Sequence, residues 1–296
     1  MMEATLSVAD LTRRFGIPGT VAFAESEDGL VKAVVSHRGT TGELYLQGAQ
    51  VTAWQPPGAR PVIFTSSHAV FAPGKAIRGG IPVIFPWFGP HPTDPKAPQH
   101  GVARTAPWQL DRVEAEGEGI AFGLSLATEG FALSYRVVFG PELLLCLATR
   151  NTSPHAARYQ EALHSYFAVS DVERIGVLGL EASTHIDKTA DMARVPGSGA
   201  VLKLAKETDS VYLGVPGCLT LHDPDWQRRI VIDKAGAASA IVWNPWPEKA
   251  AAMADLGVDN WRGFVCVETG NAADDDINLP PGATHEMTTR ISLDAG

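Results

Sequence analysis

Short apolar segments recur along this chain with a period close to two, and almost nothing recurs at the 3.6-residue period of a helix. Such segments occupy residues 30–36, 42–47, 120–127, 133–139, 143–149, 230–232, 240–243, 264–267 and 286–293, and β-branched or aromatic residues are frequent in them. Turn-forming residues separate them, at Pro57-Gly58, Gly117-Glu-Gly119, Gly140-Pro141, Pro196-Gly-Ser-Gly199 and Pro281-Gly282. Helical patterns are confined to Val8–Phe15 and to residues 247–255, where an Ala-rich run follows a proline and an acid. Strands that follow one another without intervening helices favour an antiparallel sandwich or barrel over a doubly wound sheet, so the chain is expected to be all-β. No fixed-period repeat and no Gly/Ser-rich or charged linker divides its 296 residues. A single domain over 1–296 is expected, with residues 1–25 as a peripheral N-terminal arm.

Charge and composition narrow the partners. A net charge of −9 speaks against a nucleic-acid ligand, which requires a basic footprint, but leaves room for a local arginine cluster. No run of 18 apolar residues predicts a membrane span, and the opening Met-Met-Glu-Ala-Thr does not resemble a signal peptide. Cys146, Cys218 and Cys266 each lie in apolar runs, too scattered for a zinc site or a disulfide framework. They are expected to be buried free thiols in a reducing, cytoplasmic setting. His91, His100 and His164 lack metal-ligand spacing, and Gly-x-Ser-x-Gly, GxGxxG and P-loop patterns are missing. Neither a metal nor a cofactor is expected, and the chain is expected to be a monomer or weak homo-oligomer.

Chemistry concentrates in four stretches. The first is Arg78-Gly-Gly-Ile-Pro-Val-Ile-Phe-Pro-Trp-Phe-Gly-Pro-His91, followed by Gln99-His100-Gly-Val-Ala-Arg104. Two arginines a strand and a loop apart can converge on one anion, and the fork of guanidinium donors suits phosphate. The Gly-Gly pair beside Arg78 offers a ligand close approach to backbone; the plainer reading is a Pro-rich surface loop with solvated arginines. His164 lies in a strand-like run, where a core histidine is the ordinary alternative to an acid or base. Asp209 precedes an apolar strand, where a turn residue is the ordinary alternative. Glu268 closes the apolar strand 264–267; burial there is costly unless the carboxylate is paired or faces solvent. A histidine and a glutamate flanking one bound molecule form an acid–base pair.

Taken in order, Arg78-Gly-Gly-Ile-Pro, Phe85-Pro-Trp-Phe-Gly89, His100-Gly-Val-Ala-Arg104, Leu163-His-Ser-Tyr-Phe167, Thr208-Asp-Ser-Val-Tyr-Leu213, Trp243-Asn-Pro and Val265-Cys-Val-Glu-Thr269 resemble the glucose-6-phosphate 1-epimerases of the aldose 1-epimerase superfamily. Gly179-Leu, Ile186-Asp-Lys188 and Leu221-His-Asp223 add weaker matches, and the resemblance spans roughly residues 30–293. It implies a galactose mutarotase-like β-supersandwich of antiparallel sheets with few short helices. It implies His164 as the general acid toward the sugar ring oxygen and Glu268 as the general base toward the anomeric hydroxyl. By the same resemblance Arg78 and Arg104 bind substrate, here assigned to a phosphate, Gln99 is a further substrate contact, and Asp209 holds sugar hydroxyls; His100, beside Arg104, is expected to hydrogen-bond the sugar. Trp87, Trp243 and Trp246 serve either as a platform for a sugar face or as core. Val102 stands where relatives commonly carry Phe. The expected activity is interconversion of the α and β anomers of an aldohexose 6-phosphate. A neutral-sugar aldose 1-epimerase, a non-catalytic carbohydrate-binding protein and a zinc or iron enzyme are the alternatives.

Overall fold

The computed structural model describes residues 6–215 and 217–295. Two eight-stranded sheets dominate. The first runs in the order Gly176–Leu178, Cys218–Asp223, Arg228–Ala235, Thr284–Ala295, Leu143–Asn151, Phe131–Phe139, Gly119–Thr128 and Gln109–Glu116. The second runs Ala193–Val195, His185–Asp187, Thr208–Tyr212, Ser239–Asn244, Phe264–Asn271, Glu161–Leu163 and Val83–Ile84, and Tyr166–Ala168 also pairs with Phe264–Asn271. A four-stranded sheet joins Val21–Glu25, Val31–His37, Thr40–Tyr45 and Gln50–Gln55, and Ala157–Tyr159 pairs with Ile277–Leu279. Every pairing between these strands is antiparallel. The all-β expectation is met.

The sequence pattern explains how the two large sheets differ. Phe131–Phe139 buries Phe131, Leu133, Tyr135, Val137 and Phe139 while the residues between them are more open. That is the alternation of a sheet with one face on the core. Each such side chain contributes roughly 1.5–3 kcal/mol on burial. Ser239–Asn244 and Phe264–Asn271 are instead buried at every position. One face of this second sheet is floored by a separate apolar cluster of Ile84, Ala162, Ile186, Val211, Ile241 and Ala272.

Helix α1 (Val8–Phe15) starts at Ser7, whose hydroxyl accepts the Asp10 N–H at 3.2 Å. Its Leu11 and Phe15 enter the main core, and Val21–Glu25 pairs in register with residues 31–35. Helix α2 (Trp246–Ala251) is shorter than the 247–255 pattern. Turn bonds from Leu256 and Gly257 to the Met253 carbonyl take over, and Asp255 lies beyond the helix. The thiols also depart from expectation: Cys266 is buried and Cys146 half-buried, but Cys218 is exposed near the start of its strand. No helix among the described residues is long and apolar enough to cross a membrane.

Candidate active site

Strand register builds the site. Leu163 pairs with Thr269, and Tyr166 with Cys266. Counting inward from both pairs sets His164 directly opposite Glu268, on the face that directly opposed residues share. The same rule puts Trp243 beside Cys266, Ile241 beside Glu268, and Asp209 beside Trp243 on that face. Lys188 follows His185–Asp187 and donates its backbone N–H to the Asp209 carbonyl at 2.8 Å, which brings it alongside Asp209.

Three local readings change. His164 stands in a two-residue break between Glu161–Leu163 and Tyr166–Ala168, not inside a continuous strand. Its backbone N–H donates to the Pro82 carbonyl at 3.0 Å. Glu268 sits within Phe264–Asn271, not at its end. The strand continues through Thr-Gly-Asn, where Gly270 pairs with Ala162 and Ser239 and Asn271 with Glu161, and the Asn271 side chain donates to the Glu161 carboxylate at 3.0 Å. Asp209 likewise lies within Thr208–Tyr212.

His164 Nε2 is 3.3 Å from Glu268 Oε1, and both side chains are buried. Neither Glu268 oxygen accepts a hydrogen bond from a described residue, and His164 Nδ1 has no partner among them. Burial, with the Asp209 carboxylate nearby, pushes the Glu268 carboxyl well above its usual range, against the pull of Lys188. Burial first, then interaction with His100 and with the charges of Arg104 and Arg78, push His164 well below its usual range. The His164 ring stacks on Tyr166 with centroids 4.9 Å apart, and meets Trp243 and His100 edge-on at 6.1 and 5.7 Å.

Cations ring this pair. Arg78 Nη1 donates to the Tyr166 hydroxyl at 3.2 Å, and its Nε and Nη2 lie 3.1 and 3.0 Å from Asp255 Oδ2. Arg104 donates to the Gln99 carbonyl at 2.8 Å and pairs with no carboxylate among the described residues. Arg104 and Arg78 each lower the other's neighbour His100, which burial, Arg104, Lys188 and Arg78 together bring down to about 3. His100 Nδ1 accepts the Gly89 N–H at 3.3 Å, so the neutral ring carries its proton on Nε2. Lys188 Nζ lies 2.9 Å from Asp209 Oδ1 and 5.4 Å from the centre of the Phe88 ring.

Arg78, His100, Arg104, His164, Asp209 and Glu268 thus converge. Gln99 adjoins them through its carbonyl, and its residue is exposed. The glycines beside Arg78 serve a different purpose from the one expected. A Cβ on Gly79 would fall 2.5 Å from Thr65 Cα, and one on Gly80 2.4 Å from the Val51 carbonyl oxygen, so protein backbone, not a ligand, takes that space. Of the tryptophans, Trp243 lies against His164 and Tyr166; Trp246 packs on Trp261, and Trp87 on His91. Lys188, Tyr166 and Asp255 received no role from sequence. Only the Ile186-Asp-Lys188 and His-Ser-Tyr matches marked the first two, and nothing marked Asp255. Among the described residues no cluster of three His, Cys, Asp or Glu has metal-binding geometry.

The family model described as aldose 1-epimerase matches residues 32–292. A Cenchrus ciliaris protein with the provisional name glucose-6-phosphate 1-epimerase is 35% identical over 295 residues, covering 92% of this chain and 88% of its own. An Escherichia coli K12 protein with the same provisional name is 32% identical, with 83% and 85% covered. The crystal structure of a provisionally named mutarotase from Salmonella typhimurium superposes with a TM-score of 0.88 at 28% identity, over 95% of this chain and 96% of the other. The fold of galactose 1-epimerase from Lactobacillus acidophilus is shared at a TM-score of 0.73, with 12% identity, 94% of this chain and 99% of that one being covered.

Proposed function

The chain belongs to the aldose 1-epimerase family, and we propose that it interconverts the α and β anomers of an aldohexose 6-phosphate, glucose 6-phosphate foremost. The observation that carries this reading is the His164–Glu268 contact of 3.3 Å beside two arginines, one of them without a carboxylate partner among the described residues. Ring opening needs one proton removed and one delivered a few ångströms apart. In our reading the Glu268 carboxylate takes the anomeric O1 proton, the C1–O5 bond breaks as the C1 carbonyl forms, and the His164 imidazolium protonates O5. Rotation about C1–C2 turns the other aldehyde face to O5. Closure reverses both transfers, with the imidazole as base and the carboxyl as acid. Groups of this kind typically contribute about 10²–10⁴-fold each.

Arg78 and Arg104 are assigned to the phosphate, Asp209 to sugar hydroxyls, and the His100 Nε2–H and the Gln99 side chain to further polar contacts. A neutral sugar leaves Arg104, which pairs with no carboxylate among the described residues, without a counterion, which disfavours the neutral-sugar reading. Exchange spectroscopy by NMR on glucose 6-phosphate and glucose side by side tests the proposal. Faster exchange for the phosphorylated sugar is expected, and equal rates would remove the phosphate from the account.

A further inference from the structure

The protonation of the resting pair is at odds with the chemistry asked of it. Ring opening starts from a carboxylate and an imidazolium, yet the pocket is built for the neutral forms. A buried carboxylate is stable when two or three donors face it, and Glu268 has none among the described residues. A ring that can accept a proton at Nε2, the nitrogen facing Glu268, carries its hydrogen on Nδ1 in both forms, so the undonated Glu268 carboxylate decides between them. The two forms hold the same number of protons: carboxyl plus imidazole differs from carboxylate plus imidazolium only in which side of a 3.3 Å contact has the proton.

Groups on every element around His164 bear on that choice. Arg78 reaches it through the Tyr166 hydroxyl and the stacked ring. His100 abuts it, and Arg104 lies within electrostatic reach from the same loop. Cys266 and Glu268 come from the facing strand, and Asp209 and Lys188 act on Glu268 from the strands beyond. Asp255 pairs directly with Arg78 and acts on Arg104 only at a distance.

We propose that the substrate's phosphoryl dianion arms the pair: seated on Arg78 and Arg104, it cancels their positive field at His164, and one proton passes from the Glu268 carboxyl to the imidazole. Base and acid are created in one transfer, with no outside proton source. This rests on the phosphate assignment above and goes beyond it. The phosphoryl group then governs turnover as well as affinity, and does so without being bonded to the sugar that reacts. Burial, the larger influence on His164, remains; the share owed to the arginines is what the dianion removes.

The test supplies the dianion separately. Anomer exchange of glucose is followed with wild-type protein while inorganic phosphate is raised, and the same series with H164A subtracts the buffer's own catalysis. Saturable acceleration of about tenfold or more is expected, the effect of moving one proton equilibrium by a factor of ten, and R104Q should lose it. Glucose turnover that phosphate leaves unchanged or inhibits overturns the proposal. Nitrogen-15 spectra of the His164 ring give a second reading: phosphate should move it toward the imidazolium pattern, and an unmoved ring in protein that phosphate occupies also overturns it. Glucose 6-phosphate run in the same assay separates the two layers. If that sugar does not exchange, the proposed function fails; if it does and phosphate does not activate glucose, only this inference fails.

Discussion

Tyr166 lies against His164 with its ring plane 15° from parallel, and its hydroxyl accepts the Arg78 hydrogen bond at 3.2 Å. One side chain therefore positions both the proposed acid and a proposed phosphate ligand. Tyr166→Phe keeps the stack and removes that bond. A hydrogen bond to a charged group is worth about 1.5–3 kcal/mol, so kcat/KM for glucose 6-phosphate should fall about 10–150-fold, with a much smaller change for glucose. Equal losses on both sugars would show that the hydroxyl acts on His164 alone.

His164→Ala and Glu268→Gln should each lower anomer exchange by about 10²–10⁴-fold while circular dichroism stays that of the wild type. Exchange near the wild-type rate in either variant would refute the assigned roles.

Stability should follow pH in opposite senses at the two residues. The folded protein holds the Glu268 proton more tightly than the unfolded chain, so stability falls as pH rises above the ordinary value of 4.5. The folded protein resists protonating His164, so stability falls as pH drops below the ordinary 6.5. The Tm advantage of E268Q over wild type should therefore grow from about pH 5 to about pH 8, and that of H164Q from about pH 7 to about pH 5. Calorimetric scans across this range check both slopes, and flat differences would contradict them.

Lys188 faces Asp209 at 2.9 Å and favours ionised Glu268, whereas Asp209 opposes it. Removing the ammonium in Lys188→Met leaves the opposing carboxylate alone. The acid limb of the kcat profile should move to higher pH, with partial recovery in Lys188→Arg. A profile that keeps its shape while KM rises would make Lys188 a substrate contact only.

His100 and Gly101 both adopt left-handed backbone, and a Cβ on Gly101 would fall 1.9 Å from the Phe85 carbonyl oxygen. Gly101→Ala must displace backbone next to His100. A loss of about 2–4 kcal/mol is expected, on the scale of severe backbone substitutions, read as a lowered urea midpoint. Wild-type stability would mean the loop relaxes freely.

The strands most legible in the sequence were the long ones. The segments 120–127, 133–139, 143–149 and 286–293 appear as Gly119–Thr128, Phe131–Phe139, Leu143–Asn151 and Thr284–Ala295. A period of two needs several residues to declare itself, and a face on the core supplies the alternation. Glu161–Leu163 and Tyr166–Ala168 were legible only as one strand-like run around His164, and His185–Asp187 and Val83–Ile84 were not legible, because two or three residues hold no period. These short strands supply much of the candidate site. Its residues were legible as chemistry: His164, Glu268, Asp209 and the arginines stood out by type and motif, not by any sign of contact.

Local patterning by itself determined an all-β chain, its long strands and the residue types at hand, since alternation and turn chemistry act between near neighbours. Tertiary structure alone decided that His164 opposes Glu268, that Asp255 faces Arg78, and that Lys188 reaches Asp209. Antiparallel register links residues far apart in the chain, and whether a buried group is charged depends on every neighbour the fold brings to it.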